Sequence, residues 1–223
     1  MTLDDFPCLL PLSAADGMPV RVVHALRPAQ VADLATLVGD AAAAFANDAG
    51  FGATHGQVLL LPGEKGVDSA LLGLGDGQEC GPCDPFVSGV LPARLPAGAW
   101  RVQAPADVVE ADIVLGFCLG AYRMPAFGRA RPEGAATARL VVTERAIGAA
   151  QVAACMCQAR DLINTPPNLM GPAELAQAAQ ATLAPLGAKV RIVTGDALQA
   201  AYPTVAHVGM GSDRPACVVV AAW

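Results

Sequence analysis

The stretch "ARDLINTPPNLMGPAELA" (Ala159–Ala176) decides how the chain is organised. Pro166 and Pro167 must end the alanine-rich helix before them, because proline lacks an amide N–H and restricts the residue that precedes it. Pro172 then begins a second helix, and Glu174 places a negative charge in its first turn. The stretch therefore predicts a helix, an extended corner and a second helix.

Strands and helices alternate along the chain on both sides of this corner. Short runs rich in β-branched residues indicate strands, and runs that repeat apolar residues every three or four positions indicate helices. The predicted strands are 18–26, 57–62, 69–75, 99–104, 138–144, 188–195 and 216–223, and the predicted helices are 28–45, 84–95, 106–124, 144–166, 171–187 and 196–203. Such alternation predicts a layered α/β architecture.

The composition argues against two classes of partner. The chain has 14 Lys and Arg against 20 Asp and Glu, a net charge of −6, whereas binding of nucleic acid phosphates needs clustered basic residues. The densest apolar run, Ile113–Tyr122, is shorter than the roughly 20 residues that a membrane-spanning helix needs. The acidic start "MTLDDF" has no secretory-signal pattern. We therefore expect a soluble, cytoplasmic protein with no membrane partner.

The segment "ECGPCD" (79–84) has the spacing of thiol–disulfide oxidoreductases. A catalytic cysteine of that kind needs electropositive surroundings that favour its thiolate, whereas Glu79 and Asp84 flank Cys80 and Cys83 with carboxylates. The seven cysteines are also an odd number, in a chain that we expect in a reducing compartment. We therefore interpret the cysteines as free thiols that pack as small apolar residues.

No other spacing assembles a metal or nucleophile site. His24, His55 and His207 lie far apart and form no HExxH pattern. Cys155 and Cys157 are two positions apart on a predicted helix, so they face different sides. The sequence has no GxSxG nucleophile elbow and no phosphate-binding GK[ST] motif. Residue chemistry alone therefore assigns no active site.

The stretch around the corner resembles the segment that opens the catalytic domain of the leucyl aminopeptidase (cytosol aminopeptidase) family. The residues that match the family pattern in order and spacing are Arg160, Asp161, Leu162, Asn164, Pro166, Asn168, Met170 and Pro172. We interpret this motif as structural, because the side chains of Asn164 and Asn168 can hydrogen-bond the backbone groups freed at the corner. In this interpretation the motif fixes one domain against the other and performs no chemistry.

The resemblance extends over nearly the whole chain. The other segments that are similar to the family, in its bacterial amino-terminal domain and its catalytic domain, are 56–76, 84–102, 119–124, 187–212 and 216–223. Together with the alternation of strands and helices, this predicts an amino-terminal mixed sheet flanked by helices over residues 1–143. A linking helix follows over 144–165, and the opening elements of an α/β aminopeptidase catalytic domain over 166–223.

The resemblance implies a metal-dependent exopeptidase. In the complete enzyme, two divalent ions, zinc or manganese, bind the substrate and activate a water that attacks the first peptide bond of a peptide with a free amino terminus. The family also assembles as a hexamer with the catalytic domains inside, which implies a homo-oligomer. Its ion ligands, a lysine and several Asp and Glu, belong to motifs of the type GKG…FDSGG and NTDAEGR.

Neither ligand motif is present in this sequence. Lys65 in a predicted turn and Lys189 at the start of a predicted strand do not fit the metal lysine. The acids that follow the corner are Glu174, Asp196 and Asp213. Their spacing does not predict convergence on two ions, so we assign no catalytic or metal-binding residue. We expect those residues downstream of Trp223, and we expect this chain alone to bind no metal and to be inactive.

Two alternatives from other functional classes stay open. The first is a non-catalytic assembly or regulatory module, since the family's amino-terminal domain can act in this way and some members bind DNA. The net negative charge of the chain argues against DNA binding. A mobility-shift assay at low salt tests this, because salt-sensitive binding would support a DNA-binding module. The second alternative is a thiol oxidoreductase built on Cys80 and Cys83.

We expect no disulfide reductase activity from the parent chain. If the CGPC segment were catalytic, the parent would reduce disulfides and Cys80→Ser would abolish that activity. Native-state alkylation followed by mass spectrometry is the second measurement, and Cys80 and Cys83 should react at an ordinary thiol rate. Fast alkylation at pH 6 would reveal a stable thiolate and contradict our interpretation.

Overall fold

The computed structural model describes residues 2–64, 66–77, 84–124 and 137–223. The chain divides into two units, Met1–Cys157 and Gln158–Trp223. The strands of the first unit are β1 (Leu9–Pro11), β2 (Val20–Leu26), β3 (Val58–Gly63), β4 (Gly66–Gly73), β5 (Gly98–Gln103) and β6 (Ala138–Val142). Its α-helices are α1 (Leu34–Val38), α2 (Asp40–Asp48), α3 (Leu91–Arg94) and α4 (Glu110–Ala121), and α5 (Ile147–Asn164) contains the division between the units.

The six strands of the first unit form one mixed sheet. Their order is β1-β6-β5-β2-β4-β3, and all neighbours are parallel except β3 and β4. Parallel neighbours need a crossover connection, which the helices between the strands supply, whereas the antiparallel β3 and β4 follow each other directly. The predicted mixed sheet flanked by helices is confirmed.

Helices cover both faces of this sheet. The largest core contains α4, the beginning of α5 and sheet residues such as Val23 and Trp100, and both Trp100 and Phe117 are fully buried. A smaller core on the other face joins α1 and α2 to Leu26 and Leu71. Among the residues described, we find no helix that combines the length and the apolarity needed to cross a membrane.

The backbone of α4 packs directly against the backbone of a 3-10 turn (Val87–Val90). A side chain on Gly120 would overlap the carbonyl oxygen of Gly89, so only glycine fits there. The buried hydroxyl of Ser88 donates a hydrogen bond of 2.7 Å to the carbonyl oxygen of Ile113 on α4. This close contact places α4 over the sheet.

Two helices that the sequence predicted as continuous are interrupted. The predicted helix 28–45 is a 3-10 segment followed by α1 and α2, because Gly39 between them has a φ of +82°, outside the helical region. The predicted helix 84–95 is a 3-10 turn followed by the short α3. Pro92 has no N–H for a helical bond to the preceding turn, so the α-helix begins only at Leu91.

The second unit is small and sparsely packed. Its elements are the end of α5, α6 (Pro172–Leu183), β7 (Lys189–Val193), α7 (Gly195–Ala201), α8 (Pro203–Gly209) and β8 (Val218–Ala222). The strands β7 and β8 pair antiparallel in a two-stranded sheet. The sequence analysis missed α8, in which Pro203 occupies the first turn, where proline is tolerated. The buried apolar residues of Gln158–Trp223, all of which are described, are Ala176, Ala188, Val193 and Leu198.

Gly120→Ala should lower the free energy of unfolding of the first unit by roughly 2–3 kcal/mol, because the new methyl group forces α4 away from Gly89. Urea denaturation, followed by the fluorescence of the buried Trp100, measures this loss. The control is Gly148→Ala on α5, where a side chain would meet nothing within 4 Å. That variant should be unchanged or more stable by up to about 1 kcal/mol. Equal losses in both variants would show that the contact with Gly89 does not matter.

Candidate functional site

The corner between α5 and α6 is closed by its own backbone. The backbone N–H and the hydroxyl of Thr165 donate to the carbonyl oxygen of Asp161 at 3.0 and 2.6 Å, which completes the last turn of α5. The N–H groups of Leu169 and Met170 both donate to the carbonyl oxygen of Pro166, at 2.8 and 2.9 Å. The residues of the family-like motif therefore form a tight turn immediately after the helix.

Arg214, in the loop before β8, holds this turn from outside. Its guanidinium donates to the carbonyl oxygens of Pro167 at 2.6 Å and of Asn168 at 2.7 Å. Gly171 provides the necessary space, because a side chain there would overlap the Arg214 guanidinium. A planar guanidinium presents several N–H groups in a fixed geometry, so it can bind two neighbouring carbonyl groups at once.

Glu174 caps the helix that leaves the corner. The N–H of Gly171 donates to its Oε2 atom at 2.9 Å, and the Arg214 Nη1 atom lies 3.9 Å from the same oxygen. The backbone N–H groups of Glu174 and Gly171, and then the Arg214 charge, hold the pKa of this carboxyl below its usual value. The capping bond therefore stabilises the corner above the unfolded pKa of the carboxyl, and that stability is lost as the pH falls through the lower folded value.

The structure gives the motif residues partly different roles from those expected. Arg160 and Asp161 lie on the last turns of α5, and Pro172 begins α6. Asn164 and Asn168 are exposed, and neither side chain makes a hydrogen bond to any part of the chain that the structure describes. The expectation that these side chains satisfy the corner is wrong.

Thr165 and Arg214 make the hydrogen bonds that were expected from the two asparagines. Sequence reasoning missed Arg214 because it lies 46 positions after Asn168, in the unremarkable loop segment "GSDRPA". Its pairing with the corner depends on the return of β8 to β7, which no local pattern indicates.

The described residues do not fit a two-ion centre. Within 2–64, 66–77, 84–124 and 137–223, no group of three His, Cys, Asp or Glu side chains is placed to hold a metal ion. Glu174 is engaged by Gly171, Asp196 lies exposed in the first turn of α7, and Asp213 is exposed in a loop. Thr194, rather than Asp196, is the N-cap of α7. Four residues used in the sequence analysis, Lys65, Glu79, Cys80 and Cys83, lie outside the described residues.

The first unit has an open cleft of about 420 Å³ at the ends of β5 and β6. Its acidic residue, Glu110, is already engaged, because the N–H and the hydroxyl of Thr143 donate to its two carboxylate oxygens at 2.8 and 2.5 Å. Arg101 is the other charged residue in the described lining. This pair gives the cleft no nucleophile and no metal ligand set.

Comparison with known families identifies both units. Residues 21–143 match the family described as "M17 aminopeptidase, N-terminal domain", and residues 157–223 match "Cytosol aminopeptidase family, catalytic domain". The chain belongs to the M17 cytosol aminopeptidase family. The resemblance inferred from the corner motif is thereby confirmed.

Individual M17 relatives agree with this assignment. A probable cytosol aminopeptidase of Mycobacterium bovis (strain BCG / Pasteur 1173P2) is 37% identical over 123 residues, which cover 51% of this chain and 24% of the relative. The crystal structure of the Coxiella burnetii cytosol aminopeptidase superposes with a TM-score of 0.82 at 25% identity, covering 97% of this chain and 46% of that one. The chain thus spans less than half the length of these relatives.

A second solved structure shares the fold of this chain. The bottromycin maturation enzyme BotP, in complex with Mn, gives a TM-score of 0.68 at 23% identity. The match covers 92% of this chain and 45% of BotP. The manganese in that structure belongs to BotP.

Arg214→Lys should loosen the corner by about 1 kcal/mol, because an ammonium cannot replace both guanidinium bonds to the backbone. Hydrogen exchange at the amides of Leu169 and Met170 should become roughly five-fold faster, the equivalent of that free energy. The control is Arg191→Lys, an equal change at an exposed position of β7. If both variants keep the same protection at these two amides, Arg214 does not hold the corner.

Proposed function

We propose that this chain supplies the amino-terminal unit and the first catalytic-domain elements of a metal-dependent leucyl-type aminopeptidase. The complete enzyme would remove amino-terminal residues from peptides that have a free amino group. One observation carries this proposal. The two family matches follow each other in the order of the M17 enzymes, and the motif Arg160–Pro172 lies at the start of the second match.

The two divalent ions of the complete enzyme, zinc or manganese, would be held by residues outside the described part of this chain. The described acids support this, since none of Glu174, Asp196 and Asp213 belongs to a three-ligand group among the described residues. Manganese bound by the structural neighbour BotP is consistent with the choice of metal. When bound, two such ions would activate water and polarise the peptide carbonyl.

The sparse packing of the second unit supports the proposal that more of the catalytic domain packs against it. Ile163, Val208 and Trp223 are large apolar side chains with about four fifths of their surface exposed, at 82%, 78% and 78%. A two-stranded sheet is marginally stable by itself in water, and additional strands stabilise it. In the complete enzyme, further strands would extend the β7–β8 sheet and cover these side chains.

The remaining features of the proposal follow from family membership. We propose a homo-oligomer, a hexamer in the complete enzyme, located in the cytoplasm and acting on peptides. Residues 1–143 would form the amino-terminal domain, 144–165 the linking helix and 166–223 the beginning of the catalytic domain. A non-catalytic role in assembly or regulation remains the alternative for the 223 residues by themselves, because the described part offers no ligand set.

The 223-residue chain alone should not hydrolyse a leucyl chromogenic substrate, with or without added zinc or manganese, because its described acids do not converge. A chimera should gain metal-dependent hydrolysis when the residues that follow the matched region in the Coxiella burnetii enzyme are joined after Trp223. Controls are the chimera with a metal chelator and a mock purification from cells that lack both chains.

The two arms of this experiment test different statements. Metal-dependent turnover by the 223-residue chain alone would show that it contains its own ligands. A folded chimera that binds metal and remains inactive would contradict the proposed aminopeptidase function.

A further inference from the structure

Two cysteines that are 110 positions apart in the sequence meet in the first unit. The Sγ atoms of Cys8, just before β1, and Cys118, on α4, lie 3.7 Å apart, within hydrogen-bond distance for two thiols. The contact depends on tertiary structure, because Cys8 is carried to α4 by the pairing of β1 with β6. In this pairing, the N–H of Leu140 donates to the carbonyl oxygen of Cys8 at 2.9 Å.

The two thiols differ in their surroundings. Cys118 is buried, whereas Cys8 is partly exposed. The hydrogen bond with Cys118 lowers the pKa of the Cys8 thiol, and the nearby Arg139 acts in the same direction. The hydrogen bond with Cys8, together with burial, raises the pKa of Cys118. Cys8 is also the less buried of the two thiols, so it is the member of the pair that an oxidant from solvent would meet first.

We propose that Cys8 and Cys118 form an oxidation site that a peroxide converts to a disulfide. In the first step the Cys8 sulfur attacks one oxygen of hydrogen peroxide, the O–O bond breaks, and Cys8 becomes a sulfenic acid while one water is released. In the second step the Cys118 sulfur attacks the Cys8 sulfur. The S–O bond breaks, and the departing hydroxide takes the Cys118 proton and leaves as a second water. Two thiols are oxidised and one peroxide is reduced to two waters.

The geometry requires only a small movement. The two sulfurs must approach from 3.7 Å to about 2.05 Å, the length of a disulfide bond, which side-chain rotation at the partly exposed Cys8 can supply. The new bond would join the segment before β1 to α4. Strand β1 is three residues long and lies at the edge of the sheet, so the disulfide would fasten a short edge strand of this unit.

The other cysteines are the alternative partners against which the specificity of the Cys8–Cys118 reaction is measured. Cys157, on α5, is close enough to Cys118 to act on its pKa and is therefore the competing partner within the described residues. Cys155 is exposed, and Cys217 donates to the carbonyl oxygen of Pro172 at 3.3 Å. Cys80 and Cys83 lie outside the described residues.

Treatment of the folded 223-residue chain with dilute hydrogen peroxide tests the proposal. Free thiols are then blocked with N-ethylmaleimide, and proteolysis without a reducing agent is followed by mass spectrometry. A linked pair of peptides containing Cys8 and Cys118 should appear, and its mass should be two hydrogens below that of the two free peptides. The thermal midpoint of the first unit should rise by roughly 5–10 °C, because the bond closes a loop of more than one hundred residues.

Single variants separate the possible partners. Cys8→Ser and Cys118→Ser should each lose both the linked peptides and the rise in thermal midpoint, while Cys155→Ser and Cys157→Ser should keep both. Circular dichroism checks that every variant is folded before oxidation. The proposal is overturned if Cys118 is found linked to Cys157, or if Cys8 and Cys118 are recovered as alkylated thiols after the exposed Cys155 has been oxidised.

Discussion

The close backbone contact between α4 and the 3-10 turn before α3 is the constraint on which the first unit depends. Gly116 and Gly120 leave room for Ser88 and Gly89, and the buried hydrogen bond from Ser88 to the carbonyl of Ile113 fixes the register of the contact. Because α4 is held there, Phe117 and Val114 reach the sheet and complete the largest core. A side chain at either glycine would push α4 away from the 3-10 turn and so disturb the packing of α4 on the sheet.

The second unit is organised by polar contacts more than by a core. With so few side chains buried in Gln158–Trp223, the arrangement of its corner rests on Arg214 and on the helix cap formed by Glu174. Hydrogen bonds to backbone carbonyl groups fix the orientation of the corner, because they are directional, whereas apolar packing is not. The turn within the family motif is therefore held by Arg214, a residue that lies outside the motif.

The Cys8–Cys118 pair and the family membership point to two different reactions. The peptide hydrolysis that we propose would belong to the complete enzyme, whereas Cys8 and Cys118 would respond to oxidants in the first unit, which presents no ligand set among its described residues. The CGPC segment has the more familiar redox spacing in the sequence. The Cys8–Cys118 pair is formed by the fold, which places its two sulfurs 3.7 Å apart.

The sequence by itself determined the alternation of strands and helices, the corner at Pro166 and Pro167, and the family, because each of these is written in local periodicity or in a contiguous motif. Only the tertiary structure decided which distant residues contact each helix, strand or turn. The break at Gly39 depended on a single φ angle, Arg214 reached the corner through the pairing of β8 with β7, and Cys8 met Cys118 through the pairing of β1 with β6. Contacts between residues far apart in sequence arise from strand order and helix packing, which no local pattern encodes.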